Sequence, residues 1–64
     1  MAAYDICYMD QSGILSCKLI AMCGDDKDAK VLAHAMKLPD SKSLEVWNGE
    51  MLVYRRPEDA HRHH

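Results

Sequence analysis

The chain has 64 residues, 48% of them hydrophobic, and its eight Lys and Arg against ten Asp and Glu leave a formal net charge of −2. One domain of this size buries only about 60% of the surface its unfolded form exposes, so a disulfide, a metal or a second subunit has to be looked for as added support. The charge lacks the basic footprint of phosphate-backbone binding, and every apolar run falls far short of the twenty or so residues that span a bilayer.

Three cysteines, Cys7, Cys17 and Cys23, make an odd set, and the start of the chain (Met1 to Asp5) has no basic segment followed by a long apolar one. The expectation is a reducing, cytoplasmic setting without a membrane segment.

In chain order, Tyr4 to Met9 is rich in β-branched and aromatic residues, and Asp10-Gln11-Ser12-Gly13 follows with turn chemistry. This predicts a hairpin whose second strand runs from Ile14 to about Cys23, long enough to invite a bulge near Ser16 to Lys18. Gly24-Asp25-Asp26-Lys27-Asp28 then changes the period: an aspartate caps the first turn of a helix, and the other acids suit the positive end of its dipole. Val31, Leu32, Ala35 and Met36 form the apolar stripe of that helix, opposite Lys27, Lys30, His34 and Lys37. Pro39 ends it after about fourteen residues. Asn48-Gly49, set between Leu44-Glu45-Val46-Trp47 and Glu50 to Tyr54, predicts a second hairpin with a two-residue turn.

The fold class expected is therefore α+β, in the order ββαββ: two hairpins forming one four-stranded sheet with a single amphipathic helix on one face. The domain spans residues 1–56, and residues 57–64 form a flexible, histidine-containing tail. Strand orders 2-1-3-4 and 1-2-3-4 both obey the crossover rule.

Alternation then assigns faces. A two-residue Asn48-Gly49 turn pairs Trp47 with Glu50 and Val46 with Met51, which places Leu44, Val46, Met51 and Val53 on one side and Glu45, Trp47, Glu50, Leu52 and Tyr54 on the other. A three-residue Gln11-Ser12-Gly13 loop puts Cys7, Met9, Leu15, Cys17 and Leu19 together, with Cys7 opposite Cys17, and Tyr4, Ile6, Tyr8, Ser16, Lys18 and Ile20 on the reverse. The first of these sets is continuously apolar and is the expected helix-covered side, although a bulge in the second strand could reverse part of the assignment. All four aromatics (Tyr4, Tyr8, Trp47 and Tyr54) then share the uncovered face, and with Leu52 they form the expected interface or binding surface. One helix shields one side of a sheet, so the other side suits a homodimer, with edge-strand pairing as an alternative geometry. Exposed aromatics could also bind a small ligand or stack single-stranded bases, although only Lys18, Arg55 and Arg56 lie near them, offset by Glu45 and Glu50.

Candidate chemistry is sparse. Cys23 precedes the helix N-terminus, where a dipole can activate a thiol, yet no base accompanies it and a small buried hydrophobe is the simpler reading. The cysteine spacing matches no zinc knuckle, and His34 on the polar helix face reads as solvated. His61, His63 and His64 could grip a divalent ion, but in a polar tail they imply no site by themselves. The row of Lys27, Lys30, His34 and Lys37 could meet an acidic partner, although such a row usually marks a solvated helix face. No nucleophile, carboxylate pair or phosphate loop can be assembled, so no enzymatic activity, cofactor or metal is expected.

The succession of Asp10 and Gly13, then Asp25, Asp26 and Ala29, then Glu45, Val46, Trp47 and Gly49 resembles a group of short uncharacterised bacterial proteins. They share a D-x-x-G hairpin, a D-D-x-x-A helix start and an E-V-W-x-G hairpin. The likeness runs from Tyr4 to Val53 and implies the ββαββ order; it implies no activity, ligand or site residue.

Overall fold

A computed structural model describes residues 1–58 of the chain. Its elements are β1 (Ala2–Met9), β2 (Leu15–Cys23), α1 (Asp26–Ala35), β3 (Ser43–Asn48) and β4 (Met51–Arg56). They form one antiparallel sheet in the order β2-β1-β3-β4, with α1 connecting β2 to β3. The expected ββαββ class is therefore observed, and of the two strand orders compatible with the sequence it is 2-1-3-4. Because β1 lies between β2 and β3, the helix crosses over a strand already in place, as in a split βαβ unit.

The first turn closes as its sequence suggests. Asp10 accepts the N–H groups of Ser12 and Ile14 on one carboxylate oxygen (2.9 and 3.1 Å), and Gly13 takes φ +80°. Beyond the turn the register shifts: Met9 pairs with Leu15, but Tyr8 pairs with Cys17, so Ser16 is an extra residue. Its hydroxyl donates to the Tyr8 carbonyl at 3.1 Å, satisfying an acceptor at the irregularity. This single bulge rotates the rest of β2 relative to β1. Cys17 and Leu19 join Tyr4, Ile6 and Tyr8 on one face, while Lys18 and Ile20 join Asp5, Cys7 and Met9 on the other. Cys7 consequently faces Lys18 across the ladder rather than Cys17, and all three thiols are free.

The second turn also slips by one residue. Asn48 pairs with Met51, so Gly49-Glu50 is the two-residue loop; Gly49 alone has positive φ (+63°), the position a type II′ turn reserves for glycine. A second irregularity between Val46 and Trp47 then pairs Trp47 with Leu52 and Val46 with Tyr54. A Cβ at Gly49 would meet nothing within 4 Å, so Gly49→Ala should cost about 1–2 kcal/mol through backbone strain alone. Urea unfolding should show a lower midpoint with an unchanged slope.

Helix α1 starts at Asp25, an extended residue whose carboxylate accepts the Asp28 N–H at 2.9 Å, and it runs ten residues rather than fourteen. The side facing the sheet is also different from the expected stripe. Ala29 and Ala33 are fully buried, with Leu32 partly so, whereas Val31 and Met36 are largely exposed. Small residues let the helix lie close enough for tyrosines to reach it. Tyr4 Oη donates to Asp26 Oδ1 (2.7 Å) at its first turn, Tyr8 Oη donates to the Ala33 carbonyl, and Tyr54 Oη is hydrogen-bonded to His34 Nε2 (2.7 Å) at its last turn.

The core consists of Tyr4, Ile6, Tyr8, Cys23, Ala29, Ala33, Leu44 and Val46. Tyr4 and Tyr8, expected on the uncovered face, are 3% and 0% exposed beneath the helix. The reason is the charge on the other side. Asp5, Lys18, Glu45 and Arg55 all lie on the face that α1 avoids, and burying them would carry a desolvation cost that a tyrosine with a bonded hydroxyl does not.

Candidate functional site: the open sheet face

The face away from the helix is built from alternate residues: Asp5, Cys7 and Met9 of β1, Leu15, Lys18, Ile20 and Met22 of β2, Glu45 and Trp47 of β3, and Leu52 and Arg55 of β4. Of the five residues expected on an interface, Trp47 and Leu52 lie here. Tyr4 and Tyr8 do not, and Tyr54 lies on the helix side, where the His34 ring meets it edge-on (centroids 5.6 Å apart) and the Lys30 ammonium sits 5.2 Å from its ring centre. Their place is taken by aliphatic and thioether side chains: Leu15, Ile20 and Met22 are 52, 71 and 60% exposed.

The charges on this face are internally matched. Lys18 Nζ lies 3.9 Å from Asp5, and Arg55 donates to Glu45 at 3.0 Å. The second pair is the firmer, because Trp47 Nε1–H also donates to the Glu45 carboxylate at 3.0 Å, so an indole and a guanidinium hold one carboxylate between them. Beside this pair runs a shallow groove of about 500 Å³, lined by Cys7, Met9, Leu15, Ser43, Glu45 and Arg55 among others. Burial pushes the Cys7 thiol pKa up, and Glu45 and Asp5 add to the effect against the opposing pull of Lys18. Cys7 therefore carries less thiolate at neutral pH than a free cysteine does.

Cys23 is a buried member of the core, consistent with its reading as a small hydrophobe. His34 is bonded to Tyr54 rather than simply solvated. Among the described residues no group of three His, Cys, Asp or Glu side chains is placed to hold a metal ion. The histidines 61, 63 and 64 lie outside the described residues. No described helix is long and apolar enough to cross a membrane.

No protein-family model, curated protein or solved structure matches this chain. The functional reading rests on the geometry of the open face.

Proposed function

We propose that this protein is a small cytoplasmic interaction module without catalytic activity, and that its open sheet face receives a second copy of itself. The observation that supports this reading is the exposure of Leu15, Ile20 and Met22 on β2, with Trp47 two strands away, on a face that the one described helix does not cover. A 64-residue domain has little core to spare, and covering this face would extend it.

Charge and size favour a second copy over another kind of partner. The face pairs its own charges, Asp5 with Lys18 and Glu45 with Arg55, so a strongly acidic or basic partner gains little attraction from it. The molecule's two longer dimensions are 35 and 25 Å, which cap the face at roughly 900 Å², so it can offer at most about the ~800 Å² each partner buries in a standard interface. Two such faces related by a twofold axis would stack as a sandwich about 10 Å thick, with aliphatic side chains interdigitating. Among the described residues, the raised thiol pKa of Cys7 and the bonding of His34 to Tyr54 also speak against these two serving as nucleophile and base.

Sedimentation across a concentration series should give twice the monomer mass, together with a melting temperature that rises with concentration. Ile20→Asp combined with Met22→Asp should convert the protein to a folded monomer, because both side chains are exposed in the single subunit. A wild-type protein that stays monomeric throughout the series refutes the proposal. The groove supports a second reading, since its volume lies in the range of small-ligand sites. In that case a monomer whose Trp47 fluorescence responds to a metabolite is expected. The base-stacking variant of this reading is left with Trp47 as its only aromatic on the face.

A further inference from the structure

We propose that the protein binds a phosphate-type oxyanion in a second, separate site, the concavity where the end of α1 meets the start of β3 and the end of β4. The cavity measures about 190 Å³, and its lining includes His34, Lys37, Lys42, Ser43 and Arg56. Among the described residues no aspartate or glutamate lines it. That is unexpected in a chain with ten acids and eight bases.

The positive charge arrives from three elements. Lys37 comes from just after α1, Lys42 from the segment leading into β3 and Arg56 from the end of β4, with the His34 ring beside them at the last turn of α1. Among the described residues Lys37, Lys42 and Arg56 have no ion-pair partner, because the two salt bridges both lie on the open sheet face. Like charges drawn together without a counter-charge repel one another, and a bound anion relieves that repulsion.

Attraction to the helix dipole accounts for only part of the cluster. Cations do favour a helix C-terminus, which suits Lys37. Lys42 and Arg56 are not on the helix, and two of its final carbonyls are already taken, Leu32 by the Met36 N–H and His34 by the Lys37 N–H. The hydrogen bond to Tyr54 fixes the His34 ring at one wall, and Lys30 adds positive charge one turn earlier.

The donor set indicates what would bind. An arginine fork grips two oxygens of a phosphate or carboxylate, and lysines act as point charges on its remaining oxygens. Three or more donors suit a tetrahedral phosphoryl group better than a planar carboxylate. The cavity has room for one such group with a little water, and the net charge of −2 opposes a long polyanion. Inorganic phosphate and the phosphate of a small monoester share this chemistry.

The test titrates the full-length protein at low ionic strength with inorganic phosphate and, separately, with glycerol 3-phosphate, following backbone amide shifts. The proposal requires saturable shifts centred on Lys37, Lys42, Ser43 and Arg56, absent with sodium chloride at matched ionic strength. Equal affinity for the two probes identifies free phosphate as the ligand class, and tighter binding of the ester identifies a phosphorylated small molecule. Lys42→Gln with Arg56→Gln, both at exposed positions, should weaken binding at least about tenfold, the effect of losing ~1.4 kcal/mol, while sedimentation is unchanged. Shifts that do not saturate, shifts spread over every lysine, or an unaltered affinity in the double variant would each overturn the proposal. The two cavities meet at Ser43 and Pro57, but Lys37, Lys42 and Arg56 line only this one, so loss of either proposal leaves the other standing.

Discussion

Replacing Tyr8 with alanine should destabilise the protein more than Tyr8→Phe or Trp47→Ala. Tyr8 sits on the strand between β2 and β3, with no exposed surface, and its hydroxyl donates to the Ala33 carbonyl on the helix above. Removing a large buried ring costs about 3–5 kcal/mol. The total stability of a 64-residue domain is roughly 3–10 kcal/mol, so the substitution removes a large share of it. Tyr8→Phe separates packing from hydrogen bonding: the ring stays and the Ala33 carbonyl loses its partner, at an expected cost of about 1–2 kcal/mol. Trp47→Ala is the contrast, because that indole lies half-buried on the open face and a single subunit should lose much less without it. All three are compared by urea unfolding at one fixed protein concentration, since association would couple stability to concentration. A Tyr8→Ala protein as stable as wild type would mean that the ring faces solvent.

That experiment bears on the place where sequence and structure part. Element order was legible because its signals are local: the Asp10 carboxylate gathering turn N–H groups, Asp25 capping a helix, and a glycine at a tight hairpin turn. Face assignment was not, because it depends on counting by twos along a strand, and one unpaired residue reverses the count. Ser16 is that residue in β2 and Val53 in β4: the slipped turn moves each partner by two and keeps its face, whereas the irregularity between Val46 and Trp47 carries Tyr54 to the helix side. A signal for the right answer was nonetheless present. Asp5 has the same parity as Cys7 and Met9, so covering that set with the helix would have buried a carboxylate.

The helix stripe was misread for a related reason. Periodicity weighs Val31 and Met36 above Ala29 and Ala33 because they are more hydrophobic, but the distance between helix and sheet is set by the side chains on both layers. With tyrosines filling the gap from below, alanines are what fit above. The candidate site was partly legible: an uncovered face bearing Trp47 and Leu52 was expected and is present, while its aliphatic run on β2 depends on the bulge. The cationic concavity was not, since Lys42 and Arg56 are distant in sequence from His34 and only the folded sheet brings them to one place.

Raising the pH through 10 to 12 should destabilise the domain through the Tyr4 contact at the first turn of α1. The Tyr4 hydroxyl is pushed up to about 12, chiefly by its hydrogen bond to Asp26, with burial and the nearby charges of Asp26 and Asp25 adding to the effect. Burial raises Tyr8 as well. In the unfolded chain a tyrosine ionises near 10, so above that pH the unfolded state holds fewer protons than the native state, and stability falls as pH rises. Below pH 10 the contribution is fully present; through pH 12 it is lost. The structural cause is specific: a tyrosinate at position 4 cannot donate to Asp26 and would stand against two carboxylates at the start of the helix. Tyrosinate absorbance and far-ultraviolet circular dichroism, followed together, should therefore change in one step, with ionisation of Tyr4 coinciding with loss of helix. Tyr4→Phe should be less stable than wild type at neutral pH, having lost the bond, yet should show a shallower decline above pH 10 because the titrating group is gone. An equally steep alkaline decline in Tyr4→Phe would place the sensitive group elsewhere.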